Sequence, residues 1–204
     1  MSISPDGKYL FSRSNDAIKL WDLKTGRELR TLADIKGYDI SFSPDGKYFV
    51  MGGNKNTLEI RNVETSEIIK TFEGKEGTLC RALFSPDGKQ IASLERDDII
   101  VLWDIETGTR IKSFLGHTGS ISMFKFSLDG KQLLSGGADY TMKLWNVATG
   151  ELLNSFDNKG KILKAVDFSS DGKYLLAAGF DKEIKLFDAK TFKKLKTFKG
   201  HEDR

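Results

Sequence analysis

Side chains able to do chemistry are few in this chain, and they fall at regular intervals. His117 and His201 are its only imidazoles and Cys80 its only thiol. General acid–base or nucleophilic catalysis would need one of them to converge with groups of matched pKa in a shared pocket. No Cys–His or Ser–His–Asp set stands outside the repeating pattern described below. Asp6, Asp45, Asp87, Asp129 and Asp171 could suggest metal ligation, but each precedes Gly in a Ser-x-Asp-Gly sequence. Turn chemistry accounts for them: Pro presets φ, Asp bonds nearby backbone, and Gly takes φ > 0. Cys80 reads as a small half-buried strand residue. Neither a phosphate-cradling loop nor zinc-type Cys/His spacing occurs. The expectation is no catalytic residue, no metal and no cofactor.

The elements that must hold these residues follow from the recurrence. Ser-x-Asp-Gly begins at Ser4, Ser43, Ser85, Ser127 and Ser169, at spacings of 39, 42, 42 and 42 residues. A second marker falls at Trp21-Asp22, Arg61-Asn62, Trp103-Asp104, Trp145-Asn146 and Phe187-Asp188, spaced 40, 42, 42 and 42. Two independent markers therefore keep one period from end to end. Each copy parses into four short strands, a to d. Strand a is expected at 38–42, 79–84, 121–126 and 163–168, and strand b at 9–12, 48–51, 90–93, 132–135 and 174–177. Strand c alternates with period two, as in Ile18 and Leu20 or Met142 and Leu144, which marks a strand with two different faces. Strand d carries one large apolar residue per copy: Leu32, Phe72, Phe114, Phe156 and Phe198. No useful length shows a helical period, so the chain reads as all-β.

The fullest copy runs from Gly116-His117 through Ser127-Leu128-Asp129-Gly130 and Ser135-Gly136-Gly137-Ala138-Asp139 to Trp145-Asn146. It resembles a WD-repeat (WD40) unit, and a period in the low forties is that of a propeller blade. The resemblance implies an all-β WD40-type propeller of five four-stranded blades, as a closed five-bladed ring or an open, partial one. One array over 1–204 is expected, with repeats at about 1–33, 34–74, 75–115, 116–157 and 158–198 and a Gly-His tail at 199–204.

The same resemblance implies a hydrogen-bonded set of His, Ser, Asp and Trp. The fourth copy matches in full with His117, Ser135, Asp139 and Trp145. The third keeps Ser93, Asp97 and Trp103, with Lys75 in place of His. The fifth keeps Asp181 but has Lys159, Ala177 and Phe187. The second, with Met51, Lys55 and Arg61, matches nothing and should rely on apolar packing as the weakest blade. The first has Ser12, Asp16 and Trp21 with no His before them. In a closed ring His201 would supply that partner; in an excerpt of a longer array it would open a sixth repeat. Burying the carboxylate requires such partners, since an unpaired buried charge is costly.

Composition bounds the rest. A hydrophobic fraction of 39% suffices when stacked repeats share a core, and a net charge of +3 is too mild to announce a nucleic-acid binder. One cysteine excludes an internal disulfide framework. With no membrane-length apolar run and no signal-like start, the default is a soluble cytoplasmic protein. The resemblance implies a non-catalytic scaffold for protein–protein contact through the face bearing the Gly-His loops and b–c turns. That face should include Tyr38, Arg96, Ser122, Lys164 and Phe180, which could hold an acidic or phosphorylated protein or peptide. No specific nucleic acid and no membrane is expected as partner, and an open ring could self-associate. The competing readings are a propeller hydrolase with a site at the central channel, or a regulatory propeller piece of a larger signalling protein.

Overall fold

A computed structural model describes residues 1–14, 17–33, 40–52, 56–74, 81–95 and 99–200. Among them every regular element is a strand, and the strands form five antiparallel four-stranded sheets, each ordered as in the chain. The first sheet holds β1 (Ser2–Ile3), β2 (Tyr9–Arg13), β3 (Ala17–Asp22) and β4 (Glu28–Ala33). The second holds β5 (Ile40–Phe42), β6 (Tyr48–Gly52), β7 (Thr57–Asn62) and β8 (Ile68–Glu73). The third holds β9 (Arg81–Phe84), β10 (Gln90–Glu95), β11 (Ile99–Asp104) and β12 (Arg110–Phe114). The fourth holds β13 (Ile121–Phe126), β14 (Gln132–Gly137), β15 (Thr141–Asn146) and β16 (Leu152–Asp157). The fifth holds β17 (Leu163–Phe168), β18 (Tyr174–Gly179), β19 (Glu183–Asp188) and β20 (Lys194–Lys199).

The a–b hairpins close by one local device in all five copies. The Ser hydroxyl donates to the Asp carboxylate at 2.6–2.7 Å and accepts the backbone N–H five residues on at 2.9–3.0 Å. The same carboxylate oxygen accepts the N–H of the following Lys. Leu128 and Ser170 stand where Pro does elsewhere, and the hairpin is unchanged because these bonds do not involve that residue. The Ser hydroxyl and then the Lys N–H hold Asp6 and Asp171 at a pKa of about 2. At the c–d turn, the Asp or Asn ending strand c accepts the N–H of the Thr three residues later.

Strand b runs one or two residues further than the hydrophobic pattern indicates, ending at Arg13, Gly52, Glu95, Gly137 and Gly179. In the fourth and fifth copies the extension goes with backbone packed against backbone, which side-chain patterning does not report. A Cβ on Gly137 would lie 2.5 Å from the Ser120 carbonyl oxygen, and one on Gly179 only 2.1 Å from that of Ile162. The next residues, Ala138 and Phe180, donate their N–H to those carbonyls at 2.8 and 3.0 Å. A second irregularity lies between strands c and d, where one extra d-strand residue faces the Trp position. Leu29, Ile69, Leu153 and Leu195 are those extra residues, and they are 41–54% exposed.

Two compact units form, Met1–Arg96 with Ile100–Lys112, and Asp97–Ile99 with Ser113–Arg204. In the first, Phe11, Ile18 and Leu20 pack on Phe42, Phe49 and Met51 of the next sheet. Phe11 lies 4.9 Å from Phe42 and 4.7 Å from Phe49 between ring centroids. Phe72 meets Trp103 edge-on at 5.8 Å. In the second unit, Leu134, Met142 and Leu144 pack on Leu163, Val166, Leu175 and Ala177. Phe114 meets Trp145 at 5.9 Å and Phe156 meets Phe187 at 4.8 Å. The d-strand aromatic of one copy thus packs against the Trp position of the next. Phe72 and Phe114 are buried, whereas Phe198, expected to be an equivalent anchor, is 43% exposed.

Candidate functional site

The fourth repeat shows how the residue types read from the sequence come together. Ser135 on β14 faces Lys143 of β15, which puts Trp145 on the diagonal of the same face. The Trp145 Nε1–H donates to Ser135 Oγ at 2.8 Å. Ser135 Oγ lies 2.7 Å from His117 Nε2, and His117 Nδ1 lies 2.8 Å from Asp139 Oδ2. One neutral tautomer satisfies every contact: indole N–H to serine, serine O–H to Nε2, Nδ1–H to carboxylate. Asp139 also accepts from Thr118 N at 3.1 Å and, through Oδ1, from Thr141 N at 3.1 Å and Thr141 Oγ1 at 2.9 Å. Burial pushes the Asp139 carboxyl up. The Thr141 and His117 bonds outweigh it, so the group ends below its ordinary value.

An Asp–His–Ser chain with these distances has the order of a hydrolase triad, but its surroundings differ. Ser135 has 0% exposure and its hydroxyl already accepts the indole N–H. A nucleophile must reach a carbonyl carbon, and this one is sealed beneath the b–c turn. What the set can do chemically is fix that turn to the strands below it.

The first and third repeats keep the indole-to-serine bond, and the second and fifth replace it. Trp21 donates to Ser12 at 2.7 Å and Trp103 to Ser93 at 2.8 Å. Asp16, Asp97 and His201, assigned to the same sets, lie outside the described residues, as do Tyr38 and Arg96 of the predicted face and the lone thiol Cys80. In the third repeat Arg110 lies 5.4 Å over the Trp103 ring and pairs with buried Glu95. The second repeat is packed as expected, with Phe49, Val50, Met51 and Leu58 at 0% exposure. It also has polar bonds that the sequence reading missed: Arg61 donates to Glu59 at 2.8 Å and to the Ser66 carbonyl at 3.0 Å. Asp181 of the fifth repeat belongs to a different set from the one expected. Ala177 and Phe187 supply no hydroxyl or N–H there, and Asp181 pairs instead with Lys185, which also donates to Asn158 Oδ1. Burial raises the Asp181 carboxyl, and the Lys185 bond and charge more than reverse this. Asn158 left no signal in a motif search, because its type does not recur at its slot, and Lys185, although matched by Lys19 and Lys143, gave no sign that it would meet Asp181.

Of the predicted face, Ser122 and Lys164 are the extra residues of β-bulges in β13 and β17. A bulge re-aims its side chain. Lys164 Nζ lies 4.9 Å over the ring of Phe180, which follows β18 in the b–c turn and is 39% exposed. The structure therefore brings Lys164 and Phe180 together, while Ser122 is half-buried at the equivalent bulge of the fourth sheet.

Known proteins with the same pattern can be set beside this geometry. The profile of the family described as "WD domain, G-beta repeat" (WD40) matches residues 1–22, 66–104, 108–146 and 150–188, more than half of the chain. The longest unmatched stretch, 23–65, contains Arg61, where the indole is replaced. Pre-mRNA-processing factor 19 of Oryza sativa subsp. japonica is 31% identical over 84 residues, 38% of this chain and 16% of that protein. U3 small nucleolar RNA-associated protein 12 of Saccharomyces cerevisiae is 29% identical over 73 residues, 36% of this chain and 8% of that protein. The matches therefore span only a small part of either relative. With the serine-braced tryptophan and the Ser-x-Asp-Gly hairpin both lying inside the matched stretches, the chain belongs to the WD40 family, and its sheets are blades of the propeller type.

Proposed function

We propose that the chain is a non-catalytic platform that holds a protein or peptide partner through the face bearing its b–c turns and strand-a bulges. The observation that carries this reading is the exposed Phe180 ring capped by the Lys164 ammonium, with Lys164 placed by a bulge. An exposed aromatic beside a cation suits an anchor for an apolar side chain next to a carboxylate or phosphate. An acidic or phosphorylated segment is therefore the partner chemistry it fits. The sealed Ser135 hydroxyl supports the absence of hydrolase chemistry at the one Ser–His–Asp chain among the described residues. The names of both relatives refer to RNA, which makes nuclear extract a sensible partner source beside cytosol.

The test is capture from both extracts by the intact chain and by a Phe180→Ala/Lys164→Glu variant, with and without ribonuclease. A protein retained after ribonuclease and lost by about tenfold or more from the variant supports the face, since hot-spot truncation costs on that order. Equal capture by the variant, or capture that disappears with ribonuclease, removes it.

A further inference from the structure

The fifth repeat departs from the fourth at four positions that belong together. Gly116, His117, Ser135 and Trp145 are matched by Asn158, Lys159, Ala177 and Phe187. In the fourth repeat a Cβ on Gly116 would lie 3.3 Å from the Trp145 ring. A side chain at that slot needs a smaller aromatic, and Phe187 is smaller. Asn158 takes some of the room: it is 5% exposed, its Oδ1 accepts from Lys185, and its Nδ2 donates to the Lys161 carbonyl at 2.9 Å. Beside these residues lies a cavity of about 540 Å³. Phe156 and Phe187, 4.8 Å apart between centroids, form its apolar wall, and Lys159, Lys161 and Lys194 line it as well.

Charge decides what such a cavity can take. Asp181 is paired with Lys185, and Glu183 with Lys199 at 3.2 Å. That leaves Asp157 as the remaining lining carboxylate, against three exposed lysines. The turn from Asn158 to Lys161, with Lys159 at φ 52° and Gly160 at φ 73°, is tied by the Lys161 N–H to the Asn158 carbonyl at 3.3 Å. Its two lysines are thus carried on a braced loop. Residues 158–200 hold eleven lysines and five carboxylates, whereas residues 116–157 hold three and four. The basic character is local to this repeat. Several ammonium point charges beside an apolar wall match a dianionic phosphate on a planar apolar body.

We propose that this cavity binds an aryl phosphate, with the phosphate at Lys159, Lys161 and Lys194 and the ring against Phe156 and Phe187. The site uses neither Lys164 nor Phe180 and does not rest on the interaction face proposed above. The aryl phosphate could be a free small molecule or a phosphotyrosine side chain, and the two are separable by experiment.

The test titrates the intact chain with phenyl phosphate, inorganic phosphate and a phosphotyrosine peptide, by calorimetry and amide NMR. Saturable binding of phenyl phosphate is expected, with shifts at the 158–161 turn, Phe187 and Lys194 and weaker binding of inorganic phosphate. A Lys159→Ala/Lys161→Ala variant, exposed at both positions, should bind about tenfold or more weakly, and Lys131→Ala should bind normally. A second variant, Asn158→Gly with Ala177→Ser and Phe187→Trp, gives the cavity wall the residues of the fourth repeat while leaving the three lysines, and should lose binding. Tighter binding of the peptide than of phenyl phosphate assigns the ligand to a protein; equal or weaker binding assigns it to a small molecule. Absence of saturable binding overturns the proposal. So does undiminished binding by the folded wall variant, or an equal loss in Lys131→Ala, either of which would mean diffuse charge attraction.

Discussion

Asp139→Ala is the sharpest perturbation of this molecule. The carboxylate accepts four hydrogen bonds, from His117 Nδ1, Thr118 N, Thr141 N and Thr141 Oγ1. Thr118 N is exposed, so water can replace its partner. The His117 side chain is only 1% exposed, so its N–H is left stranded, and Thr141 N is partly buried. Stranding one such donor sets a lower bound of about 1 kcal/mol, and the second brings the loss to about 3 kcal/mol. In urea, with m of about 2 kcal/mol/M, the midpoint should fall by about 0.5–1.5 M. Acid supplies an independent check. The folded-state pKa of Asp139 lies below its ordinary value, so its contribution is full above the unfolded value of about 3.9 and is lost as pH falls through the folded one. The gap between wild type and variant should therefore be widest near neutrality and close only in strong acid. The assay is urea unfolding followed by tryptophan fluorescence from pH 7 down to pH 2. An unchanged midpoint at neutral pH, or a gap that does not narrow in acid, would refute the bracing role.

Two further outcomes are expected. Trp145→Ala should cost about 3–5 kcal/mol, because a buried indole leaves a cavity, and Trp145→Phe should cost clearly less, since Phe187 shows that the smaller ring is accommodated in the next repeat; urea midpoints of both variants check the order. Asp6 and Asp171, held at about 2 by the Ser hydroxyl and the Lys N–H, should titrate by NMR well below ordinary aspartates. In Ser4→Ala and Ser169→Ala the corresponding carboxyl should rise, and an unmoved titration would remove the hydroxyl as the cause.

How much was legible in the chain beforehand differs by feature. The hairpins were readable because each involves partners two to five residues apart, as in Ser43, Asp45 and Tyr48. Strand c was readable because its alternation reports directly which side chains face the neighbouring sheets. The full ends of strand b were not, since Gly137 and Gly179 continue the ladder through backbone contact with the loop before strand a. Within the candidate face, the positions of Lys164 and Phe180 could be named from the repeat. Their contact could not, because it depends on a bulge that no residue type announces.

Sequence by itself determined the period, the all-β class, the turn chemistry and the slots for His117, Ser135, Asp139 and Trp145. Those properties arise from local sterics and from a pattern repeated often enough to average out exceptions. Tertiary structure alone decided how the imperfect repeats are rescued. Arg110 covers Trp103 and meets Glu95 of another strand, and Lys185, already beside Asp181, also reaches Asn158 in the turn after the fourth sheet. A buried charge has to be neutralised by whichever group lies near it in space, and that neighbour can come from another strand or a distant turn.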